Sequence, residues 1–389
     1  MPAAPHEPRT IFVDRPDAVC RQLTAIEAPT VGVDVERADS ARYHRRAALV
    51  QVGVEGTCVL LDAVRLDELG DLDAFLADRR VVLHALENDL EPLDVLGVRP
   101  PWVADTAVAA SVLGLPTGLG PLLSEVLGVE LDGEKERFQR ADWEARPLPE
   151  DMMAYAAGDV VHLPALWEAL EARLVEAGRT AWYEQELEGA VERAFENARD
   201  WTRVKGSGRL SPEQRAILRE LWHEREYLAR THDVAPNRLL HDDVLRELSQ
   251  DPPTTEQQLV RRSPRRRRQL RAYASDLLAA IERGVEADPE PRESSDRRWT
   301  GLDRDTYDAL RRRRAEIADE LGIEAGVLCP SRPLWRAVAG EPRDGDELCE
   351  LAGLRPWQAE LLAEPLWETW RQVRDGREES ADGTDLPQD

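Results

Sequence analysis

The sequence lacks the features that mark membrane-spanning and exported proteins. No stretch of its 389 residues approaches the roughly 20 uncharged apolar residues that a membrane helix needs. The first residues, MPAAPHEPRT, show no basic region followed by an apolar run, so they do not resemble an export signal. We therefore expect a cytoplasmic protein with no membrane partner.

Cysteine and lysine are both scarce. The four cysteines form no CxxC pair, which disfavours a cysteine-based metal site and favours reduced structural thiols. Only Lys135 and Lys205 are lysines, so arginine carries nearly all the positive charge.

The net charge of −25 at first argues against a nucleic-acid partner, because basic surfaces normally hold polyanions. The charge is unevenly distributed, however. Positive and negative side chains balance between residues 206 and 290, whereas the segments on either side are acidic. The middle of the chain is therefore relatively basic, and RNA is not excluded.

The first half of the chain predicts an α/β domain with a mixed sheet. Short β-rich runs come first and helical patterns follow from about Leu90. The predicted strands are 31–36, 48–54, 57–63 and 80–86, and the later predicted helical stretches are 148–177 and 181–199.

The second half predicts only helices. Ser211 and Pro212 form a helix start, with a serine N-cap before a proline in the first turn, and apolar residues then recur at helical spacing up to about residue 230. A stretch rich in Pro, Glu, Asp and Ser, 286–296, predicts a linker to another helical unit at 299–375. The polar, acidic end of the chain shows no periodicity, which predicts a disordered tail.

Asp34 and Glu36 occupy alternate positions of a predicted buried strand, so both carboxylates project from one face. With 76 acidic residues, roughly fifteen acidic-x-acidic triplets should occur by chance, so the spacing alone says little. The apolar neighbours Val31, Val33 and Val35 make the pair unusual, because a buried strand rarely carries unpaired carboxylates. We expect a cation to neutralise them.

Further acidic residues follow at characteristic places. Asp89 comes after the strand VVLHAL and opens a helix. An acidic residue at this position can also be present only because the helix dipole stabilises it. Tyr155 and Asp159 are four residues apart in YAAGD, which places them on one helical face, although such a pair can equally be a core tyrosine and a solvated aspartate. Clustered carboxylates raise one another's pKa unless hard cations are present, so the set predicts magnesium or manganese.

Together, the strings GVDVE, HALENDL and YAAGDVVHL resemble the DEDD exonucleases, and the tyrosine four residues before the last aspartate marks the DEDDy branch. The strings DTAVAASVL and KERFQRADWEARPLPE are similar to those of ribonuclease D. The resemblance covers about residues 10–205 and implies a ribonuclease H-like exonuclease domain that shortens RNA from a free 3′ end, with transfer-RNA precursors as substrates.

The resemblance also implies roles for individual residues and two divalent ions, Mg²⁺ or Mn²⁺. Asp34 would bridge both ions, Glu36 and Asp159 would complete one site, and Asp89 would serve the other through water. Tyr155 would orient the attacking water. Two residues near the site are expected to contact RNA: His84, and Arg37, where the family often has an apolar residue.

The helical half resembles tandem HRDC domains, through SPEQRAILRELWHEREYLART and, in a second copy, LDRDTYDALRRRRAEIADELG. The arginine run at the end of the first copy is expected to bind phosphate: Arg265, Arg266, Arg267 and Arg268. The expected domains are the exonuclease domain at 8–205, the HRDC domains at 206–288 and 297–376, and the acidic disordered tail at 377–389.

Three other functions fit parts of the pattern. A DNA 3′-5′ exonuclease uses the same carboxylates, but the tandem helical units and the absence of a polymerase domain favour RNA. A catalytically silent RNA-binding protein could keep the fold, although all five active-site residues are present. If the protein is a purely structural helical adaptor, replacing Asp34 by alanine would leave every measurable activity unchanged.

Overall fold

The computed structural model of this protein describes residues 8–37, 42–44, 46–66, 68–131, 138, 141–196, 200–262, 267–291 and 299–382. Among the described helices, none combines the length and the apolar character that crossing a bilayer requires. The order of elements is an α/β region followed by helices alone, as the sequence predicts.

The strands of the described chain form one six-stranded mixed sheet in the order β1-β4-β3-β2-β5-β6. Strand β2 is central, antiparallel to β3 and parallel to β5. The strands are β1 (Arg9–Val13), β2 (Thr30–Arg37), β3 (Ala47–Val54), β4 (Thr57–Leu61), β5 (Arg80–Leu83) and β6 (Val103–Asp105).

Helices cover both faces of this sheet. They are α1 (Pro16–Leu23), α2 (Gly70–Leu76), α3 (Leu90–Val95), α4 (Thr106–Leu113), α5 (Leu119–Leu127), α6 (Glu150–Val161), α7 (Leu163–Glu176) and α8 (Thr180–Phe195). Val31, Val33 and Val35 point to the face packed by α1 to α3. The residues between them point to the opposite face, which α4 to α7 cover. Alternation along β2 therefore separates an entirely apolar core from the face that carries Asp34 and Glu36.

The helical half contains two further apolar cores. Around the first lie α9 (Pro212–Thr231), α10 (Pro236–Leu239), α11 (Asp242–Gln250), α12 (Glu256–Arg262), α13 (Arg267–Ala272) and α14 (Ala274–Glu286). Around the second lie α15 (Gly301–Leu321), α16 (Ala325–Leu328), α17 (Ser331–Ala339), α18 (Gly345–Leu351) and α19 (Pro356–Asp382). The predicted helix start at Ser211 is confirmed: its hydroxyl accepts a hydrogen bond from the Gln214 amide in a capping box.

Both helical bundles contact the α/β region. Asp233 of the first bundle accepts hydrogen bonds from the backbone amides of Tyr43 and His44, which follow β2. In the second bundle, Trp357 stacks on Trp182 of α8 with ring centroids 4.6 Å apart. These contacts connect each bundle to an element close to the sheet.

Several predicted boundaries were wrong. Strands β1 and β6 were not predicted, and the stretch 80–86 is a strand only to Leu83, because Ala85 adopts a left-handed conformation that ends the extended chain. The predicted helical stretch 148–177 divides at His162, where α7 begins with a proline in its first turn.

The acidic tail also begins later than expected. Helix α19 continues to Asp382 instead of stopping before Arg377, and this segment contains arginine, glutamate and alanine, all good helix formers. The rest of the predicted tail lies outside the described residues.

Candidate active site

Strand β2 presents two carboxylates on the sheet face covered by α6. Asp34 and Glu36 alternate with buried valines and are themselves half-buried. In the register with β3, Asp34 lies opposite Gln51 and Glu36 lies opposite Leu49. The predicted orientation of the pair on one face is therefore what the structure shows.

Two glycines allow α6 to lie directly on the sheet. A Cβ atom on Gly32 would be 2.2 Å from the backbone oxygen of Val160, and one on Gly53 would be 2.5 Å from a Val160 side-chain carbon. Any other residue at either position would push the helix away. Because Asp159 precedes Val160, this close approach brings the Asp159 carboxylate to the carboxylates of β2.

The three carboxylates form a compact acidic group. One oxygen each from Asp34, Glu36 and Asp159 can be chosen so that all lie within 4.8 Å of one another. Burial, followed by the charges of Asp34 and Asp159, raises the pKa of Glu36 to about 9. Such a set of oxygen donors can bind a divalent cation, which would relieve the repulsion.

Asp89 follows β5, the strand that pairs with β2, and comes near the same acidic group. It lies between the short 3₁₀ turn Leu86–Asn88 and α3, and its side chain is only 3% exposed. Burial raises its pKa well above the ordinary value, and the largest charge contribution comes from Asp34. Its Oδ2 atom finds no hydrogen-bond partner among the described residues. A buried carboxylate oxygen without a donor is expensive unless a cation occupies the position beside it.

Tyr155 lies one turn before Asp159 on α6 and hydrogen bonds to the Asp159 carboxylate. Its ring packs at 5.1 Å from Phe138 and 6.2 Å from Trp143, measured between centroids. Burial and the nearby carboxylates raise the pKa of its hydroxyl. Tyr155 is therefore a neutral hydrogen-bond donor at neutral pH and cannot act as a strong base.

Comparison with known proteins identifies the families that this chain resembles. The model of a 3′-5′ exonuclease family matches residues 13–175, and that of the HRDC domain matches 214–281 and 303–369. Ribonuclease D of Nitrobacter hamburgensis is 30% identical over 361 residues, covering 89% of this chain and 91% of that protein. Ribonuclease D of Pseudomonas paraeruginosa is 32% identical over 358 residues, covering 87% and 91%.

The chain belongs to the ribonuclease D family. Its fold is also that of the crystal structure of Escherichia coli RNase D, an exoribonuclease involved in structured RNA processing: the TM-score is 0.78 at 24% identity, with 94% of this chain and 99% of that chain covered. The expected arrangement, an α/β exonuclease domain followed by an HRDC region, is confirmed.

The residues expected to contact RNA lie in different places in this ribonuclease D fold. Arg37 ends β2, and its charge lowers the pKa of both Glu36 and Asp89, so it lies beside the acidic group. The Nδ1 atom of His84 is 2.8 Å from the Thr106 hydroxyl. Arg268 is exposed on α13. Arg267 is the first residue of that helix, and Arg265 and Arg266 lie outside the described residues.

Sequence reasoning missed two buried polar residues at this site. Gln51, opposite Asp34, is fully buried, and neither atom of its amide group has a hydrogen-bond partner within the described chain. The sequence offered one indication of this residue, because Gln51 is the single polar residue in the apolar run ALVQVGV. Asp105 is fully buried at the end of β6 and hydrogen bonds to the turn before Asp89. Nothing in the local sequence distinguishes it from an ordinary helix cap.

Proposed function

We propose that this ribonuclease D family member removes nucleotides one at a time from RNA 3′ ends, using two divalent cations, Mg²⁺ or Mn²⁺. Family membership makes the chain a hydrolytic 3′-5′ exoribonuclease. The proposal adds the residues that carry the reaction, the number and type of ions, and the substrate. The observation that carries it is the half-buried acidic group at β2 and α6, completed by the buried Oδ2 atom of Asp89, which has no hydrogen-bond partner within the described chain.

The donors fit two hard cations better than one. Among the charges that raise the pKa of Glu36 and of Asp89, Asp34 has the largest effect in both cases, whereas Glu36 affects Asp89 less than Asp34 does. Asp34 is therefore close to both Glu36 and Asp89. We assign one ion to Asp34, Glu36 and Asp159 and the other to Asp34 and Asp89, the latter through water. When bound, such ions lower the pKa of a water molecule, orient the scissile phosphate and stabilise the leaving 3′ oxygen.

Tyr155 is the remaining residue in the proposed machinery. Its hydroxyl keeps its proton at neutral pH, so it contributes by donating a hydrogen bond rather than by removing a proton. The aromatic contacts with Phe138 and Trp143 restrict the ring. We propose that Tyr155 orients the attacking water, with Asp159 close by on the same helical face.

For the substrate, we propose RNA with a free 3′ hydroxyl, including transfer-RNA precursors. We propose that Arg37, which lies beside the acidic group, contacts the terminal nucleotides, and that His84, which directly follows β5, also contacts the RNA. We assign 206–288 and 297–376 to the two HRDC domains, with Arg265 to Arg268 as phosphate contacts of the first. Because such a nuclease must share a compartment with its substrates, the cytoplasm is the location we propose.

A direct test uses 5′-labelled RNA and DNA of identical sequence, each with a 3′ hydroxyl or a 3′ phosphate, in Mg²⁺, Mn²⁺ or EDTA. We expect stepwise shortening of the RNA with the free hydroxyl, and none in EDTA. Faster shortening of the DNA would favour the DNA exonuclease alternative. Binding of RNA without any shortening in either metal would favour the silent RNA-binding alternative. In a parallel reaction with circular RNA, cutting would indicate an endonuclease.

A further inference from the structure

The turn that delivers Asp89 has a strained backbone. Between β5 and α3 the chain reverses through Ala85, whose φ of 63° and ψ of 54° lie in the left-handed region that alanine rarely adopts. The Leu86–Asn88 turn and then Asp89 follow directly. Strained residues persist only where the surrounding structure holds them firmly, so something must hold this turn.

Asp105 provides that hold. It is the last residue of β6 and the N-cap of α4, and it is fully buried. Its Oδ1 atom accepts hydrogen bonds from the amides of Ala107 and Val108 at 2.8 and 2.9 Å, which caps the helix. Its Oδ2 atom accepts from the Leu86 amide at 2.6 Å, which holds the turn. One carboxylate therefore joins the start of α4 to the segment before Asp89.

A helix cap alone would not require an aspartate here. Serine, threonine and asparagine cap helices about as well and carry no charge. Burial raises the pKa of Asp105, and its charge raises the pKa of Asp89, so the carboxylate is electrostatically costly at this position. The feature that only the carboxylate supplies is a second acceptor oxygen, and that oxygen contacts the turn.

Asp89 does not fix its own direction through hydrogen bonds of its Oδ2 atom, which has no partner within the described chain. The direction of this oxygen therefore depends on the backbone that carries Asp89. The Asp89 amide donates a hydrogen bond to the Leu86 carbonyl oxygen at 3.0 Å. Leu86, whose own amide donates to Asp105, is therefore hydrogen bonded to Asp89 as well. We propose that Asp105 is a positioning residue that orients Asp89 toward the cation shared with Asp34. This inference rests on the proposed two-cation function.

The test distinguishes the role of Oδ1, which caps α4, from the role of Oδ2, which holds the turn. Asp105→Ser keeps a cap for α4 but is too short to reach Leu86, and Asp105→Asn keeps only one acceptor oxygen. We expect either change to weaken Mn²⁺ binding, measured without turnover by electron paramagnetic resonance, and to raise the Mn²⁺ concentration for half-maximal single-turnover RNA cleavage. Each change should be about 10- to 100-fold, the usual effect of losing a partner that orients a metal ligand. Excess Mn²⁺ should restore part of the rate. Melting temperatures identify any general loss of structure, and the asparagine variant serves if the serine variant does not fold.

Asp344→Ser is the matched control, because Asp344 caps α18 in the second bundle by accepting from the Glu347 amide. It should leave the Mn²⁺ dependence unchanged. In an Asp89→Asn background, adding Asp105→Ser should cause no further loss, because Asp105 acts through Asp89.

Two outcomes would overturn the inference: an unchanged Mn²⁺ requirement in Asp105→Ser and Asp105→Asn, with or without a lower melting temperature, or losses that multiply with that of Asp89→Asn. Failure of the proposed function looks different. It would appear in the wild-type protein as cleavage in EDTA, or in Asp89→Asn alone as an unchanged rate.

Discussion

Two regions of the same sheet bury carboxylates in opposite ways. Beyond the end of β4, fully buried Asp62 receives hydrogen bonds from Arg146, at 2.5 Å to Oδ1 and 2.8 Å to Oδ2, and from the Val64 amide. Toward the end of β2, the carboxylates of Asp34, Glu36 and Asp159 face one another instead. The first region has a cation from its own chain, the guanidinium of Arg146, and we propose that the second takes cations from solution.

The comparison contrasts two ways of holding carboxylates within one protein. Asp62 is fully buried, whereas Asp34, Glu36 and Asp159 are half-buried. The distinguishing feature is what each carboxylate faces: Asp62 faces the guanidinium of Arg146, and the other three face one another. Breaking each region should therefore have opposite consequences: activity should fail in one, and stability in the other.

The largest effect is expected from the metal ligands. Asp34→Ala or Asp159→Ala should lower RNA turnover by at least about 10³-fold, because a cation needed in the transition state is lost. Thermal stability should stay the same or rise, because removing one carboxylate relieves like-charge repulsion. Turnover and a metal-free melt measure the two quantities. Activity surviving in Asp34→Ala would remove this residue from the site.

The Asp62 region should respond in the reverse way. Arg146→Ala leaves Asp62 buried without its cation and should lower the free energy of unfolding by about 3–5 kcal/mol. Rates per folded molecule should be unchanged. Urea denaturation measures the first effect, with Arg80→Ala as the control: Arg80 pairs with Glu171 at the surface and should contribute at most about 1 kcal/mol. Equal losses in the two variants would show that burial of the Asp62 pair has no energetic consequence.

Tyr155 sharpens the comparison, because it separates orientation from metal binding. Tyr155→Phe removes one aligned donor and should lower the single-turnover rate about 10²- to 10³-fold, by analogy with other preorganised donors. RNA affinity in Ca²⁺ should barely change. Tyr307→Phe in the second bundle should leave the rate unaltered. If Tyr155 is only a core residue, the phenylalanine variant will cleave at the wild-type rate and melt at a lower temperature.

The last effect, which is the smallest for each unit of the quantity varied, concerns pH. With its folded-state pKa raised from 4.5 to about 9, Glu36 keeps a proton in the metal-free folded protein that the unfolded chain releases. The free energy of unfolding should therefore fall as pH rises through this window, by at most about 1.4 kcal/mol per pH unit for this group. Glu36→Gln or saturating Mg²⁺ should flatten the slope. An identical slope in Glu36→Gln would show that this carboxyl does not titrate there.

Sequence reasoning predicted the part of the site that local periodicity controls. Alternation along β2 correctly placed Asp34 and Glu36 on one face, and helical spacing placed Tyr155 and Asp159 together. It did not predict Gly32 and Gly53 as the positions where α6 meets the sheet, because that approach depends on tertiary packing. The catalytic roles themselves stay predictions.

The rest of the site depends on contacts between distant segments. Ala85 has no sequence signal for a left-handed conformation, so the strand was predicted to continue through it. The hydrogen bond that holds the turn joins Leu86 to Asp105, nineteen residues later. No pattern within either segment indicates that partner.

The central claim is that the carboxylates that face one another, Asp34, Glu36 and Asp159, bind cations, whereas Asp62, which faces Arg146, does not. Counting bound Mn²⁺ at equilibrium by electron paramagnetic resonance tests it most directly, in the wild type, Asp34→Ala and Arg146→Ala, each with an RNA oligonucleotide whose terminal linkage resists hydrolysis. We predict two ions per chain in the wild type and in folded Arg146→Ala, and at most one in Asp34→Ala. The same number of ions in the wild type and Asp34→Ala would contradict the account.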